Sequence, residues 1–173
     1  MADTTKPKVA FYWCASCGGC EEAIVDLAED ILGVVDAVDI VLWPVALDFK
    51  RADVEARPDG SLVAAFVNGA IRTSEQEEMA RLLRRKSQVL IAFGACAHLG
   101  GIPGLANLWD QETIFEQTYG TAPSVANPEG TRPQESWTGN GHATALPAFH
   151  DTVRALDQVV SVDDLECRLV DRE

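Results

Sequence analysis

The stretch Val9-Ala10-Phe11-Tyr12-Trp13-Cys14-Ala15-Ser16-Cys17-Gly18-Gly19-Cys20-Glu21-Glu22 decides how the chain is read. Its first five residues form a short apolar run rich in aromatics, the pattern of a buried strand. Small residues and glycines then mark a loop. Beyond it Ile24, Leu27, Ala28 and Ile31 fall at helical spacing, with Glu21 and Glu22 in the first turn and Gly33 as a stop. A helix is therefore expected over residues 21–32. Strand, glycine-rich loop and helix in this order open an α/β protein, and three cysteines lie in or beside the loop.

Working outward, a second strand is expected over residues 37–43, stopped by Pro44, and a turn at Arg57-Pro58-Asp59-Gly60. A third strand over 62–67 ends at Asn68-Gly69. Thr73 with Gln76, and Ser74 with Glu77, both fit a capping box opening a helix that runs to Lys86. Arg81, Arg84, Arg85 and Lys86 crowd the negative end of that helix, which favours them. A fourth strand over 89–93 feeds Gly94-Ala95-Cys96-Ala97-His98-Leu99-Gly100-Gly101-Ile102-Pro103-Gly104, a second glycine-rich loop. A short helix near 111–118, a long loop over 120–147, a helix over 148–156 and a strand over 159–162 complete the reading. Loops that long are uncommon in compact domains and are usually functional or held by a partner. The alternation predicts a mainly parallel sheet with helices on both faces, and such sheets bind ligands at the carboxyl ends of their strands.

Composition narrows the function. The 173 residues are read as one domain, 1–173. Fourteen Lys and Arg stand against 27 Asp and Glu, a formal net charge of −13, which argues against nucleic-acid or anionic-membrane binding. No window approaches the roughly 20 apolar residues of a membrane span, and the polar start has no secretory core. The expected setting is the reducing cytoplasm, where clustered cysteines are metal-binding or catalytic more often than disulfide-bonded.

Cys14, Cys17 and Cys20 follow the first strand, Cys96 the fourth, and Cys167 comes after the last. In a parallel sheet these positions share one edge. Four thiolates there suit zinc or an iron–sulfur cluster, and a helix beginning at Glu21 would aim its positive end at them. Two other chemistries remain open on spacing alone. Cys17 and Cys20 could be a thioredoxin-like redox pair, and Cys17, Cys20, Cys96 and His98 could bind zinc, although Cys-x-His is tighter than the usual spacings. His98, His142 and His150 otherwise read as surface or core histidines.

The runs Cys17-Gly18-Gly19-Cys20-Glu21-Glu22 and Gly94 through Gly104 resemble the small subunit of nickel–iron hydrogenases, of the methyl-viologen-reducing type found with heterodisulfide reductase. The likeness extends through Trp43-Pro44-Val45-Ala46-Leu47-Asp48, Asn68-Gly69-Ala70-Ile71-Arg72-Thr73 and Leu156-Asp157-Gln158-Val159-Val160. This resemblance implies a flavodoxin-like domain carrying a proximal 4Fe–4S cluster, ligated by Cys17, Cys20 and Cys96. The implied role is electron transfer between the nickel–iron centre of a separate large subunit and further carriers, such as a heterodisulfide reductase module. The nickel ligands would lie in that large subunit, so this subunit of an oxidoreductase is itself non-catalytic. The family's fourth ligand sits in a Gly-Cys-Pro-Pro sequence, whereas here Glu166-Cys167-Arg168 lacks the glycine and prolines. Cys167 is placed ahead of Cys14 as the fourth ligand. The cysteine-rich segment that usually follows in such subunits is absent before Glu173. The alternative is a flavodoxin-like flavin-binding or structural partner module with a degenerate cluster site.

Overall fold

A computed structural model describes residues 6–160 of the chain. Four strands, β1 (Lys8–Trp13), β2 (Asp39–Leu42), β3 (Leu62–Asn68) and β5 (Ser87–Phe93), form one parallel sheet in the order β2-β1-β3-β5. The α/β class and the mainly parallel sheet are as the alternation predicts. β3 lies between β1 and β5, in a register that sets Asn68 opposite both Trp13 and Phe93. All four carboxyl ends therefore open on one edge, with Asn68 at its middle.

Each face of the sheet has its own core. On the larger, Ala10, Leu42, Ala65, Val67, Leu90 and Ala92 meet Val54 of α3 (Arg51–Glu55) and Met79, Leu82 and Leu83 of α4 (Ser74–Lys86). α4 starts at the expected capping box: the Gln76 amide donates to Thr73 Oγ1 at 3.4 Å, and Gln76 Oε1 accepts from the Thr73 amide at 3.1 Å. Its last turn carries Arg84, Arg85 and Lys86, and Lys86 reaches Asp59 at 2.8 Å, fixing the turn read at 57–60.

On the smaller face Trp43, Phe11, Phe66 and Phe93 form a row across the sheet, with successive ring centroids 5.1, 4.8 and 6.1 Å apart. Ile24 of α1 (Gly19–Val25) and Ile31 of α2 (Ile31–Ala37) cover its β1 and β2 side, leaving Phe66, Ile91 and Phe93 half-buried.

Five expectations need correction. The helix read over 21–32 is two helices, broken by a 3-10 turn over Ala28–Asp30, with Ala28 at φ 47°. That left-handed conformation costs a residue with a Cβ about 1–2 kcal/mol. Ile24 and Ile31 lie on one face whether or not the helix is broken, so periodicity could not reveal it. The second helical piece runs to Ala37, which shortens the strand expected over 37–43.

The helix read over 148–156 is a strand, β8 (Phe149–Arg154), paired antiparallel with β4 (Ile71–Thr73). Here tertiary pairing overrides the local pattern. The loop over 120–147 holds a hairpin, β6 (Ser136–Gly139) and β7 (His142–Ala145), turned by Asn140 and Gly141 at φ 51° and 78°. Finally, Val159 and Val160 follow a 3-10 turn over Leu156–Gln158 rather than forming a strand, and residues 161–162 lie outside the described residues.

Leu83 is fully buried between α4 and the sheet. Leu83→Ala should lower unfolding stability by about 2–5 kcal/mol, read from the urea midpoint at unchanged slope.

Candidate metal centre

The cysteine loop is held before it begins. Beyond Trp13 the chain leaves the β1 ladder but keeps pairing. The Cys14 amide donates to the Asn68 carbonyl at 2.7 Å, the Ala15 amide to the Ala70 carbonyl at 2.9 Å, and the Ala70 amide to the Ala15 carbonyl at 2.6 Å. This closeness requires Gly69 (φ +96°), where a Cβ would stand 2.7 Å from the Ala15 oxygen. The Ser16 hydroxyl then donates to Asn68 Oδ1 at 3.0 Å and accepts from the Gly18 amide, also at 3.0 Å. The turn carrying Cys17 is thus built on the end of β3.

From the other side, β5 delivers Cys96 on α5 (Ala95–Leu99), followed by α6 (Gly101–Gly104). The stretch read as one glycine-rich loop is therefore two short helices joined at Gly100. Cys96 and Cys20 both press on glycine backbone. A Cβ on Gly94 would fall 2.1 Å from the Cys20 sulfur, and one on Gly101 would fall 2.8 Å from the Cys96 sulfur.

The thiols of Cys17, Cys20 and Cys96 sense one another. The Gly19 amide and then the Cys96 thiol hydrogen-bond to Cys17 and hold it below the usual thiol range. Burial, followed by the charges of Cys17 and Cys96, pushes Cys20 up. The structure therefore brings together three of the four residues read from sequence. Among the described residues, no three His, Cys, Asp or Glu side chains converge on a point that would hold a single metal ion. The set of Cys17, Cys20, Cys96 and His98 considered for zinc is accordingly not a closed tetrahedral site.

Cys14 belongs elsewhere. It is buried in the larger core, where burial and then the Glu75 charge push its thiol up to about 12. It borders a cavity of about 530 Å³ shared with Tyr12, Phe49 and Met79. Cys167 lies outside the described residues.

Two polar residues that the sequence reading passed over hold this edge together. Glu21 follows Cys20 directly and is 2% exposed, and its Oε2 accepts from Trp43 Nε1 at 2.8 Å. Trp43 in turn rests on Phe11, so the first turn of α1 is tied to the end of β2. Asn68 is 1% exposed, and its Nδ2 has no hydrogen-bond partner. A glutamate beside a tryptophan-bearing strand carries no sequence signal, and Asn68-Gly69 reads only as a turn.

The residues present fit an iron–sulfur cluster. Three thiols from two loops share one edge, the glycines there leave no Cβ against the sulfurs, and a buried amide donor stands unpaired between the loops.

A family described as NADH ubiquinone oxidoreductase, 20 kDa subunit, matches residues 17–164. The iron–sulfur subunit of the F420-non-reducing hydrogenase of Archaeoglobus profundus is 39% identical over 90% of this chain and 49% of its own length. A subunit of the F420-non-reducing hydrogenase of Methanothermobacter thermautotrophicus is 33% identical over 91% of this chain and 47% of its own length. The chain thus spans about half the length of these curated relatives. The solved NAD+-reducing [NiFe]-hydrogenase in the H2-reduced state matches with a TM-score of 0.72 at 26% identity, over 91% of this chain and 79% of that one. The resemblance read from the motifs is thereby supported along nearly the whole chain.

Gly94→Ala should displace the Cys20 thiol and speed its alkylation severalfold, read by timed iodoacetamide labelling and tandem mass spectrometry. Trp43→Phe keeps the ring but removes the donor to a buried carboxyl, and should cost about 1–3 kcal/mol of stability in urea titration.

Proposed function

The chain belongs to the NADH ubiquinone oxidoreductase 20 kDa subunit family, and from that premise we propose that it is the electron-transfer small subunit of a nickel–iron hydrogenase. In this reading it is a single flavodoxin-like iron–sulfur domain over residues 1–173. Cys17, Cys20 and Cys96 hold a 4Fe–4S cluster, with Cys167 as the fourth ligand. The observation that carries the proposal is the meeting, at one edge of a parallel sheet, of the two cysteine-bearing segments that leave β1 and β5. The strand order agrees with it, since β2-β1-β3-β5 is how a flavodoxin-like sheet begins.

When bound, such a cluster supplies a one-electron carrier whose potential depends on hydrogen bonds to its sulfurs and on exposure to water. The chain's own residues do the rest. Gly94 and Gly101 leave room for the thiols, Ser16 shapes the turn that carries Cys17, and the Trp43–Glu21 bond fixes the helix start behind Cys20.

The partner that supplies the nickel centre is a large subunit, which docks beside Cys96. Leu99, Ile102, Leu105, Leu108 and Trp109 follow that cysteine in sequence, and each is more than half exposed. Large bare apolar side chains in one stretch suit a protein–protein interface. Electrons then leave toward a further carrier, for which a heterodisulfide reductase module is the proposed type. The complex is placed in the cytoplasm. Among the described residues no helix is long and apolar enough to cross a membrane.

Anaerobic reconstitution of the chain should yield about four irons and four acid-labile sulfides, the content of a cubane cluster. Cys17→Ser and Cys96→Ser should abolish it, whereas Cys14→Ser should leave it intact. Stoichiometric zinc without sulfide, or a flavin co-purifying without iron, would overturn the proposal. An intact cluster in Cys167→Ser would move the fourth ligand elsewhere.

A further inference from the structure

Asn68 ends β3, between the strand that leads to Cys17 and Cys20 and the strand that leads to Cys96. Its side chain is 1% exposed, and it carries both a carbonyl oxygen and an amide nitrogen. The oxygen is used. The Ser16 hydroxyl accepts from the Gly18 amide and needs an acceptor for its own proton, which Asn68 Oδ1 provides at 3.0 Å. With the amide turned this way, both the Ser16 hydroxyl proton and the Gly18 amide proton are used. Nδ2 is left buried with no partner, and a buried unsatisfied donor costs about 1–3 kcal/mol. Protein interiors rarely tolerate this, so such a donor points to a ligand. The planar amide keeps Nδ2 close to Oδ1, and hence at the loop that carries Cys17.

We propose that Asn68 Nδ2 donates a hydrogen bond to a sulfur, thiolate or sulfide, of the cluster held by Cys17, Cys20 and Cys96, and so raises its reduction potential. The inference rests on the cluster reading above and adds a residue to it. When one electron enters, negative charge on the sulfurs grows, while the amide proton stays on nitrogen and no bond forms or breaks. An N–H donor stabilises the reduced form more than the oxidised one, and removing it favours the oxidised form. Ser16 acts through Asn68 as a positioning residue, holding the amide so that Nδ2 is the free donor.

The test is a redox titration of the anaerobically reconstituted full chain, followed by electron paramagnetic resonance, with dithionite as reductant. Asn68→Leu should shift the reduction equilibrium about tenfold toward the oxidised cluster, equivalent to about 59 mV downward for one electron. Asn68→Asp is nearly isosteric and keeps the acceptor for Ser16, so it serves if Asn68→Leu fails to fold. Its added charge also lowers the potential, so it is judged by a second readout. Electron–nuclear double resonance in heavy water should show an exchangeable proton coupled to the reduced wild-type cluster and missing from both Asn68 variants. Ser16→Ala should keep that proton and shift the potential less.

An unchanged potential in Asn68→Leu, or no proton difference between wild type and variants, would overturn the inference. So would a Ser16→Ala variant that shifts the potential as much as Asn68→Leu while keeping the exchangeable proton, since Asn68 would then only brace the turn. A wild-type chain that takes up no iron and sulfide would instead refute the cluster reading itself, so the two failures are distinguishable.

Discussion

Three backbone hydrogen bonds, joining Cys14 and Ala15 to residues 68–70, hold the rest of the site in place. Parallel ladders are evenly spaced and normally end where their strands do. Here the chain leaving β1 stays bonded to the chain leaving β3, so the loop cannot swing freely over the sheet edge. Gly69 makes the approach possible, because a side chain there would collide with the Ala15 carbonyl. Ser16, Cys17 and Gly18 inherit a fixed origin, and the Cys20 thiol can lie against Gly94 on the far side of β3. Were this seam to open, the two cysteine loops would lose their common frame even with every strand intact.

The edge also concentrates polar groups that a plain α/β core would leave out. Glu21 and Asn68 are almost wholly buried, and each is tied to one neighbour, Trp43 and Ser16 respectively. Burying such groups is unfavourable unless their hydrogen bonds are made. Burial pushes the Glu21 carboxyl up from the ordinary carboxylate range, against the opposing pull of the indole N–H. An unpaired buried donor flanking a set of thiols is better explained by the chemistry of the site than by the packing of the fold.

Much of this architecture was legible in the residues. The apolar run before Cys14 is β1, the Thr73–Gln76 pair opens α4, and the strand-to-loop order placed Cys17, Cys20 and Cys96 on one edge. The failures have physical causes. Residues 149–154 are a strand because β4 offers them partners 76 to 83 positions away, which no local pattern reports. Inside the stretch expected as a loop, Asn140-Gly141, the standard signal of a tight two-residue turn, closes the hairpin over 136–145. At the site, the sequence supplied the sulfurs but not their supports. Asn68 and Glu21 matter through contacts with Ser16 and Trp43, 52 and 22 positions away.

The bare side chains at Leu99, Ile102, Leu108 and Trp109 have a consequence for the chain before it meets any partner. Apolar surface of this kind draws copies of a protein together. The net charge of −13 opposes that, holding copies apart by repulsion that reaches about 8 Å at physiological ionic strength. Molar salt shortens this reach to about 3 Å, and sulfate or phosphate salts strengthen apolar attraction as well. The same field turns away acidic proteins and admits a surface rimmed with lysine or arginine. Charge thus acts as a filter on assembly, deciding which apolar surface gets close enough to stick.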